Sequence, residues 1–183
     1  MNSLSKVFAA IIAVLLLYMF PTTQAAERQD DLSQMVVYNS LTQFVDAVRT
    51  KGYLTPIMYE DFITEMNATG GTYQVEMEHL HKKYHPEYSD PANPNTFEDK
   101  FSVYYDGFYT EKLMNVLFPD NNEPKDSDDR KYKFNVGDFF TVTVKNTNRT
   151  ISSVLRDFLT GSNRGDGTTI AVPYGGMILN EDY

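Results

Sequence analysis

Three histidines lie close together in the sequence, at positions 79, 81 and 85. His79 and His81 are two residues apart in a segment predicted to be a strand, so both side chains project from the same face. Two imidazoles on one face can hold a metal ion. The spacing reveals no third ligand, however, and the neighbouring Lys82 and Lys83 disfavour a bound cation. We therefore expect surface or sheet-face histidines rather than a metal site.

The acidic stretch 119–130 is a second candidate for ion binding. Calcium prefers oxygen ligands, and this stretch supplies several carboxylates. Their spacing departs from the EF-hand loop, in which a turn glycine is followed by a ligating glutamate. We therefore expect a solvated surface loop, with a weak calcium site as the alternative. The carboxylates are those of Asp120, Glu123, Asp126, Asp128 and Asp129.

The sequence offers no motif of a known catalytic mechanism. It contains no Gly-x-Ser-x-Gly, no His-Glu-x-x-His and no glycine-rich phosphate loop. The tripeptide Arg164-Gly165-Asp166 matches an integrin-type adhesion motif, but three such residues in a glycine-rich loop arise easily by chance. We therefore predict a non-enzymatic protein that uses no metal or cofactor. The alternative is a calcium-supported hydrolase that uses the acidic stretch.

Composition excludes several classes of protein. The chain has 183 residues, no cysteine and a net charge of −9. Without cysteine, disulfide scaffolds, zinc–thiolate sites and cysteine-based catalysis are excluded. The acidic charge argues against nucleic acid as a partner, because that affinity comes from lysine and arginine side chains on phosphates. It also argues against binding of anionic lipid headgroups by the folded domain.

Residues 1–26 form a membrane-targeting segment. They contain an unbroken apolar run, Val7–Phe20, which is followed by a proline and then by Ala25-Ala26. A run of this length suits a cleavable signal peptide, with the alanines near the cleavage site. Alternatively, a helix over residues 4–26 can span the membrane as an uncleaved anchor, with the proline tolerated inside it. Both interpretations place residues 27–183 outside the cytoplasm as a single domain.

An amphipathic helix is predicted over residues 27–50. Val37 and the apolar residues after it recur at spacings of 4, 3 and 4, which gives one stripe along the helix. Gly52 follows, where a glycine in the left-handed conformation ends a helix. The stripe either packs on the core of the domain or carries contacts with other subunits. Its residues are Leu32, Val37, Leu41, Phe44 and Val48.

The rest of the domain mixes short helices with strands. Thr55-Pro56 predicts the start of a second helix that ends near Asn67, since threonine caps helices and proline suits their first turn. Further helices are expected over 108–117 and 151–159, loops over 85–99 and 162–168, and strands over 73–78, 101–105, 139–145 and 169–172. This order predicts an α+β fold. In it a long N-terminal helix, made of the membrane segment and its amphipathic continuation, precedes a small antiparallel β-sheet with short helices.

Five short motifs stand out along the domain: FVDAVR (44–49), KGYLT (51–55), MYEDF (58–62), EMEH (76–79) and VGDFFTVTV (136–144). In these motifs the chain resembles pilin-like proteins encoded with tight-adherence (Tad, Flp-type) secretion systems of Gram-positive bacteria. The resemblance implies a minor pilin or assembly component. It would be anchored in the cell membrane through residues 4–26 with its domain outside, and would pack on other pilin-like subunits through the helix stripe. The chain departs from the family at Lys6-Val7-Phe8, where prepilins carry a small residue and an early glutamate.

The alternative function is a secreted, soluble binding module released by cleavage of a signal peptide. Its support is the aromatic content, thirteen tyrosines and twelve phenylalanines. Aromatic side chains on a half-exposed sheet supply a rigid, amphipathic recognition surface. Neither interpretation predicts a small-molecule substrate or a nucleic-acid partner.

Overall fold

The computed structural model describes residues 3–121, 123–161 and 171–183. The α-helices in these ranges are α1 (Ser3–Lys51), α2 (Pro56–Asn67), α3 (Thr110–Leu117) and α4 (Ile151–Thr160). The strands are β1 (Tyr53–Leu54), β2 (Tyr73–Tyr88), β3 (Phe97–Tyr109), β4 (Tyr132–Lys133), β5 (Phe139–Asn146) and β6 (Ala171–Met177). The predicted loop over 162–168, with its Arg164-Gly165-Asp166 motif, lies outside the described residues.

Helix α1 runs without interruption through Pro21. A proline inside a helix removes one backbone hydrogen bond. Beside it, the hydroxyls of Thr22 and Thr23 donate to carbonyl oxygens of the preceding turn at 2.8 to 3.0 Å. The apolar N-terminal part of α1 therefore continues directly into the domain, which confirms the long N-terminal helix predicted from the sequence.

The ends of α1 and α2 follow from local sequence. Gly52 has a φ angle of 76°, and its N–H donates to the carbonyl of Val48 at 2.8 Å. A Cβ atom at Gly52 would lie 2.0 Å from the carbonyl oxygen of Asn180, so glycine is required there by space as well as by conformation. The side chain of Thr55 accepts a hydrogen bond from the N–H of Met58 at 3.2 Å and caps α2 as predicted.

Four strands form an antiparallel sheet in the order β3–β2–β5–β6, and β1 pairs separately with β4. Side chains alternate between the two faces of each strand. On the inner face, toward α1, the β5 residues Phe140, Val142 and Val144 are buried. On the outer face the intervening residues remain at least partly exposed. The arrangement confirms the predicted α+β fold with a small antiparallel sheet.

The core lies between the C-terminal part of α1 and the inner face of the sheet. Phe44 of α1 stacks on Phe62 of α2 with ring centroids 4.4 Å apart, and meets Phe140 edge-on at 6.3 Å. Helix α3 also contributes to this core through Leu113 and Leu117, which are both fully buried. These contacts join α1, α2, α3 and the sheet around one apolar centre.

The hairpin of β2 and β3 is longer than predicted. The expected loop over 85–99 is wrong at both ends, because β2 continues to Tyr88 and β3 begins at Phe97. Strand β5 pairs with β2 only as far as Leu80, so the rest of β2 has an open edge. Proline is tolerated where a strand has an open edge, and Pro86 occupies such a position opposite Phe101.

The last strand also extends further than predicted. It was expected over 169–172, of which 169–170 lie outside the described residues, and β6 runs from Ala171 through Pro173 and two glycines to Met177. Strand β6 lies at the edge of the sheet, where proline is tolerated because its missing N–H group is not needed for pairing. A Cβ atom at Gly176 would lie within 3 Å of the Arg49 guanidinium, which donates from Nε to the carbonyl of Met177 at 3.0 Å. The glycine therefore leaves room for the Arg49 guanidinium against the edge of the sheet.

Candidate functional site

The N-terminal part of α1 is the first functional feature. In the described part of the chain, α1 is the one helix long and apolar enough to cross a membrane by length and composition. None of its most apolar stretch is buried, unlike a core helix of a soluble protein, and a signal sequence would fit the same description. At about 1.5 Å per residue, residues 4–26 extend roughly 34 Å, compared with about 30 Å for a hydrocarbon core.

The five residues of the predicted helix stripe divide into two groups. Val37, Leu41, Phe44 and Val48 are buried in the chain's own core. Leu32, in contrast, is 58% exposed. The exposed apolar surface of this part of α1 instead includes Met35 and Val36, which the stripe did not contain.

His79 and His81 come together with Asp138, which lies in the turn before β5. His79 Nε2 is 2.8 Å from Asp138 Oδ2, and His81 Nδ1 is 3.0 Å from Asp138 Oδ1. The other ring nitrogen of His79, Nδ1, is 2.8 Å from the hydroxyl of Tyr132. A neutral His79 protonated on Nε2 satisfies both contacts, because it donates to the carboxylate and accepts from the tyrosine. We call these four residues the histidine cluster.

Asp138 is the centre of the cluster. Its carboxylate is almost completely buried, and it also accepts hydrogen bonds from the backbone N–H groups of Lys82 and Asn135, each at 2.9 Å. Burial alone would raise the pKa of Asp138, but these two backbone hydrogen bonds, with those from His81 and His79, lower it below its usual value of 3.8. The carboxylate therefore stays ionised and ties β2 to the β4–β5 turn.

Aromatic rings enclose His79. The rings of Phe134, Tyr132 and Phe108 have centroids 4.7, 5.5 and 5.5 Å from the imidazole. Burial lowers the pKa of His79 below 6.5, and the Asp138 carboxylate offsets part of that effect. Burial and then the charge of Asp138 raise the pKa of Tyr132 to about 12, so its hydroxyl stays protonated as a donor. A phenol held in this state is a poor nucleophile and a poor general base.

By residue type and distance, the cluster could hold a metal ion. One ligand atom from each of His79, His81 and Asp138 lies within 4.8 Å of the others. These atoms already bond to one another, so an ion would have to replace both imidazole–carboxylate hydrogen bonds. Lys131 and Lys133 also line the open groove of about 370 Å³ beside the cluster. The geometry therefore favours a hydrogen-bonded clamp over a metal centre.

Sequence reasoning missed Asp138 and Tyr132, because they lie 59 and 53 positions after His79. A signal for the burial of His79 was nevertheless present. The alternation that places Val75 and Met77 on the inner face of β2 continues to His79. Of the two predicted alternatives, His79 takes the sheet-face position, where it is 4% exposed, whereas His85 is exposed.

One carboxylate of the acidic stretch pairs with a lysine, and no three of its carboxylates come together in the described part of the chain. Asp128 forms an ion pair with Lys131, whose hydrogen bond lowers the pKa of the carboxyl. Across the surface, Lys125 of the same stretch pairs with Glu60 of α2. Among the described residues, the histidine cluster is the one place where three potential ligand groups meet. The geometry thus gives no support to a calcium site here.

The outer face of the sheet carries several exposed apolar side chains among charged ones such as Lys82. Register places Tyr105 beside Lys82 and Val103 beside Tyr84, while Leu80 lies beside Phe139. The rings of Tyr105 and Phe139 meet edge-on at 5.8 Å across the strands. Contiguous exposed apolar patches on soluble domains usually mark interaction sites. We call this surface the outer aromatic face; it comprises Leu80, Tyr84, Phe101, Val103, Tyr105, Tyr109, Phe139 and Met177.

Comparison with known proteins adds no identification. No protein-family model, curated protein or solved structure matches this chain. The functional argument therefore depends on the geometry of α1, the sheet and the histidine cluster.

Proposed function

We propose that this chain is a non-enzymatic, pilin-like subunit or assembly component of a Tad-type pilus system, anchored in the membrane by the N-terminal part of α1. One observation carries the proposal. The single helix Ser3–Lys51 is apolar and exposed in its first half, and in its second half it is the central packing element of an α+β domain. A continuous helix fixes the orientation of the domain relative to the membrane segment, whereas a flexible linker would leave the domain free to reorient.

Contacts with other subunits would use the exposed part of α1. The buried stripe residues are already occupied by the chain's own core. Leu32, Met35 and Val36 are exposed and spaced three and four residues apart, so they lie on one face of the helix. We therefore revise the expected packing residues to this group. The absence of cysteine makes the revision testable. Val36→Cys in membranes should form disulfide-linked dimers, whereas the similarly exposed Ile57→Cys on α2 should not.

The first experiment is the intact mass of the chain expressed in a Gram-positive host, measured separately in membrane and medium fractions. A membrane-bound species that retains Val7–Phe20 supports the anchored, pilin-like function. A soluble species that begins near Ala26 contradicts it, because the anchor would have been removed as a signal peptide.

The outer aromatic face favours a second candidate function, a secreted binding module. Aromatic side chains dominate this face, and no other part of the described chain covers it. Tyrosine and phenylalanine provide large contact areas at a low cost in side-chain entropy. A soluble, monomeric mature form in the medium would make this function the leading one.

A further inference from the structure

Helix α4 presents an apolar stripe to solvent. Val154, Phe158 and Leu159 are 49%, 75% and 51% exposed, and the spacing of four between Val154 and Phe158 places them on one side of the helix. Ser152, which is buried, and Arg156 lie on the side away from Val154 and Phe158, and Leu159 lies between the two sides. The polar side lines an open groove between α4, α1 and the end of the sheet. The exposed residues thus contribute nothing to the core of the domain.

Two contacts fix the direction of α4 along α1. The Ser152 hydroxyl donates to the Asp30 carboxylate, and Arg156 lies 3.4 Å from Glu27. Residue numbers rise along α4 as they fall along α1, so the helices are antiparallel and α4 points toward the membrane segment. At about 1.5 Å per residue, Phe158 lies roughly 3 Å beyond Arg156 in that direction. Phe158 and Leu159 are therefore level with the last residues of the 4–26 segment.

We propose that the C-terminal end of α4 reaches the outer surface of the bilayer and inserts Phe158 and Leu159 among the lipid headgroups. The inference rests on the proposed membrane anchor, which places Glu27 at the lipid surface. Because α4 runs antiparallel to the membrane-spanning helix, it meets the lipid surface with its end, where exposed phenylalanine and leucine side chains are stabilised by burial of their apolar area. Because the domain is acidic, it is not attracted to anionic lipid headgroups. The contact therefore depends on apolar side chains and does not require anionic lipid. A second attachment point beside α1 would hold the domain in one orientation on the membrane.

The experiment uses the absence of tryptophan in the chain. The full-length variant Phe158→Trp is placed in phosphatidylcholine vesicles, with or without lipids brominated near the headgroup end of the acyl chain. Bromine quenches tryptophan only on close approach. Two matched variants accompany it: Tyr18→Trp within the apolar run, and Phe101→Trp, an exposed aromatic on the β2–β3 hairpin. We expect the Phe158→Trp variant to lose at least about twofold more fluorescence than the Phe101→Trp variant, as an interfacial side chain should.

The outcomes separate this inference from the anchor. If the Tyr18→Trp variant is quenched and the Phe158→Trp variant is not, the anchor stands and α4 does not touch lipid. If the Tyr18→Trp variant is not quenched, both proposals fail. A Phe158→Trp emission shifted to shorter wavelength without bromine quenching would show that protein, such as a second copy of the chain, covers α4, and would overturn the lipid contact.

Discussion

The Nε2 atom of His79 lies 2.8 Å from Oδ2 of Asp138, and the two side chains are 5% and 1% exposed. The pair joins the middle of β2 to the turn that introduces β5. The second ring nitrogen of His79 and both oxygens of Asp138 have hydrogen-bond partners as well, so neither buried group is left unsatisfied.

Removal of the Asp138 charge should destabilise the domain. Asp138→Asn loses the ionised acceptor of four N–H groups in a buried site, which should cost about 2–4 kcal/mol of unfolding free energy. The measurement is urea unfolding of the full chain in a mild non-ionic detergent. Asp106→Asn, which breaks a partly exposed ion pair with Lys83, is the control and should cost less than about 1 kcal/mol. Equal losses in the two variants would contradict the clamp.

Acid should weaken the fold in two steps. The pKa of His79 is lowered from 6.5 in the folded state, so the unfolded chain binds this proton more readily. Neutral His79 therefore makes its full contribution to the free energy of unfolding above pH 6.5. That contribution is lost as the pH falls from 6.5 toward the pKa of His79 in the folded state. The lowered pKa of Asp138 adds a second loss below its unfolded value of 3.8. His79→Gln should remove the first step, and His85→Gln, an exposed site, should retain it. Stability curves against pH test this, and a first step that persists in His79→Gln would contradict it.

Gly52 should tolerate no side chain. Its φ of 76° and the 2.0 Å approach of Asn180 both oppose a Cβ atom. Gly70 has a φ of 78° with open space around it, so Gly70→Ala measures the conformational cost alone, about 1 kcal/mol. Gly52→Ala should cost several times more, because the C-terminal segment at Asn180 must move. Similar melting temperatures for the two variants would show that this segment is not packed on α1.

Adjacent phenylalanines of β5 should respond differently to truncation. Phe140 is fully buried on the inner face, whereas Phe139 is 37% exposed on the outer aromatic face. Phe140→Ala should cost about 3–5 kcal/mol, as truncation of a core aromatic does, and Phe139→Ala much less. Urea unfolding of both variants checks the register, and a larger loss for Phe139→Ala would reverse the two faces.

The helix stripe should be sensitive to charge where it is buried. Val48→Asp places an unpaired carboxylate in the core and should prevent folding, since the desolvation of such a group is not compensated. Leu32→Asp, at an exposed position, should fold. Near-ultraviolet circular dichroism distinguishes the two. If Leu32→Asp also folds poorly, the exposed part of α1 is buried in a contact within the domain.

Local sequence determined the features that depend on neighbouring residues. The capping of α2 by Thr55, the end of α1 at Gly52 and the periods of helix and strand each arise from interactions within a few residues. The length of the β2–β3 hairpin was underestimated because the three prolines of residues 85–99, Pro86 among them, predicted a loop. The tolerance of Pro86 depends on the open edge beyond Leu80, which is a property of the assembled sheet.

The sequence alone therefore determined the long apolar-to-amphipathic helix, the α+β order and the absence of cysteine chemistry. Only the tertiary structure decided which residues meet. It buried Val37 and Val48 inside the domain, brought Asp138 to His79 across 59 positions and aligned α4 with Glu27 and Asp30. The physical reason is that helix periods and caps are short-range, whereas burial and hydrogen-bond partnership depend on the packing of distant segments around one core.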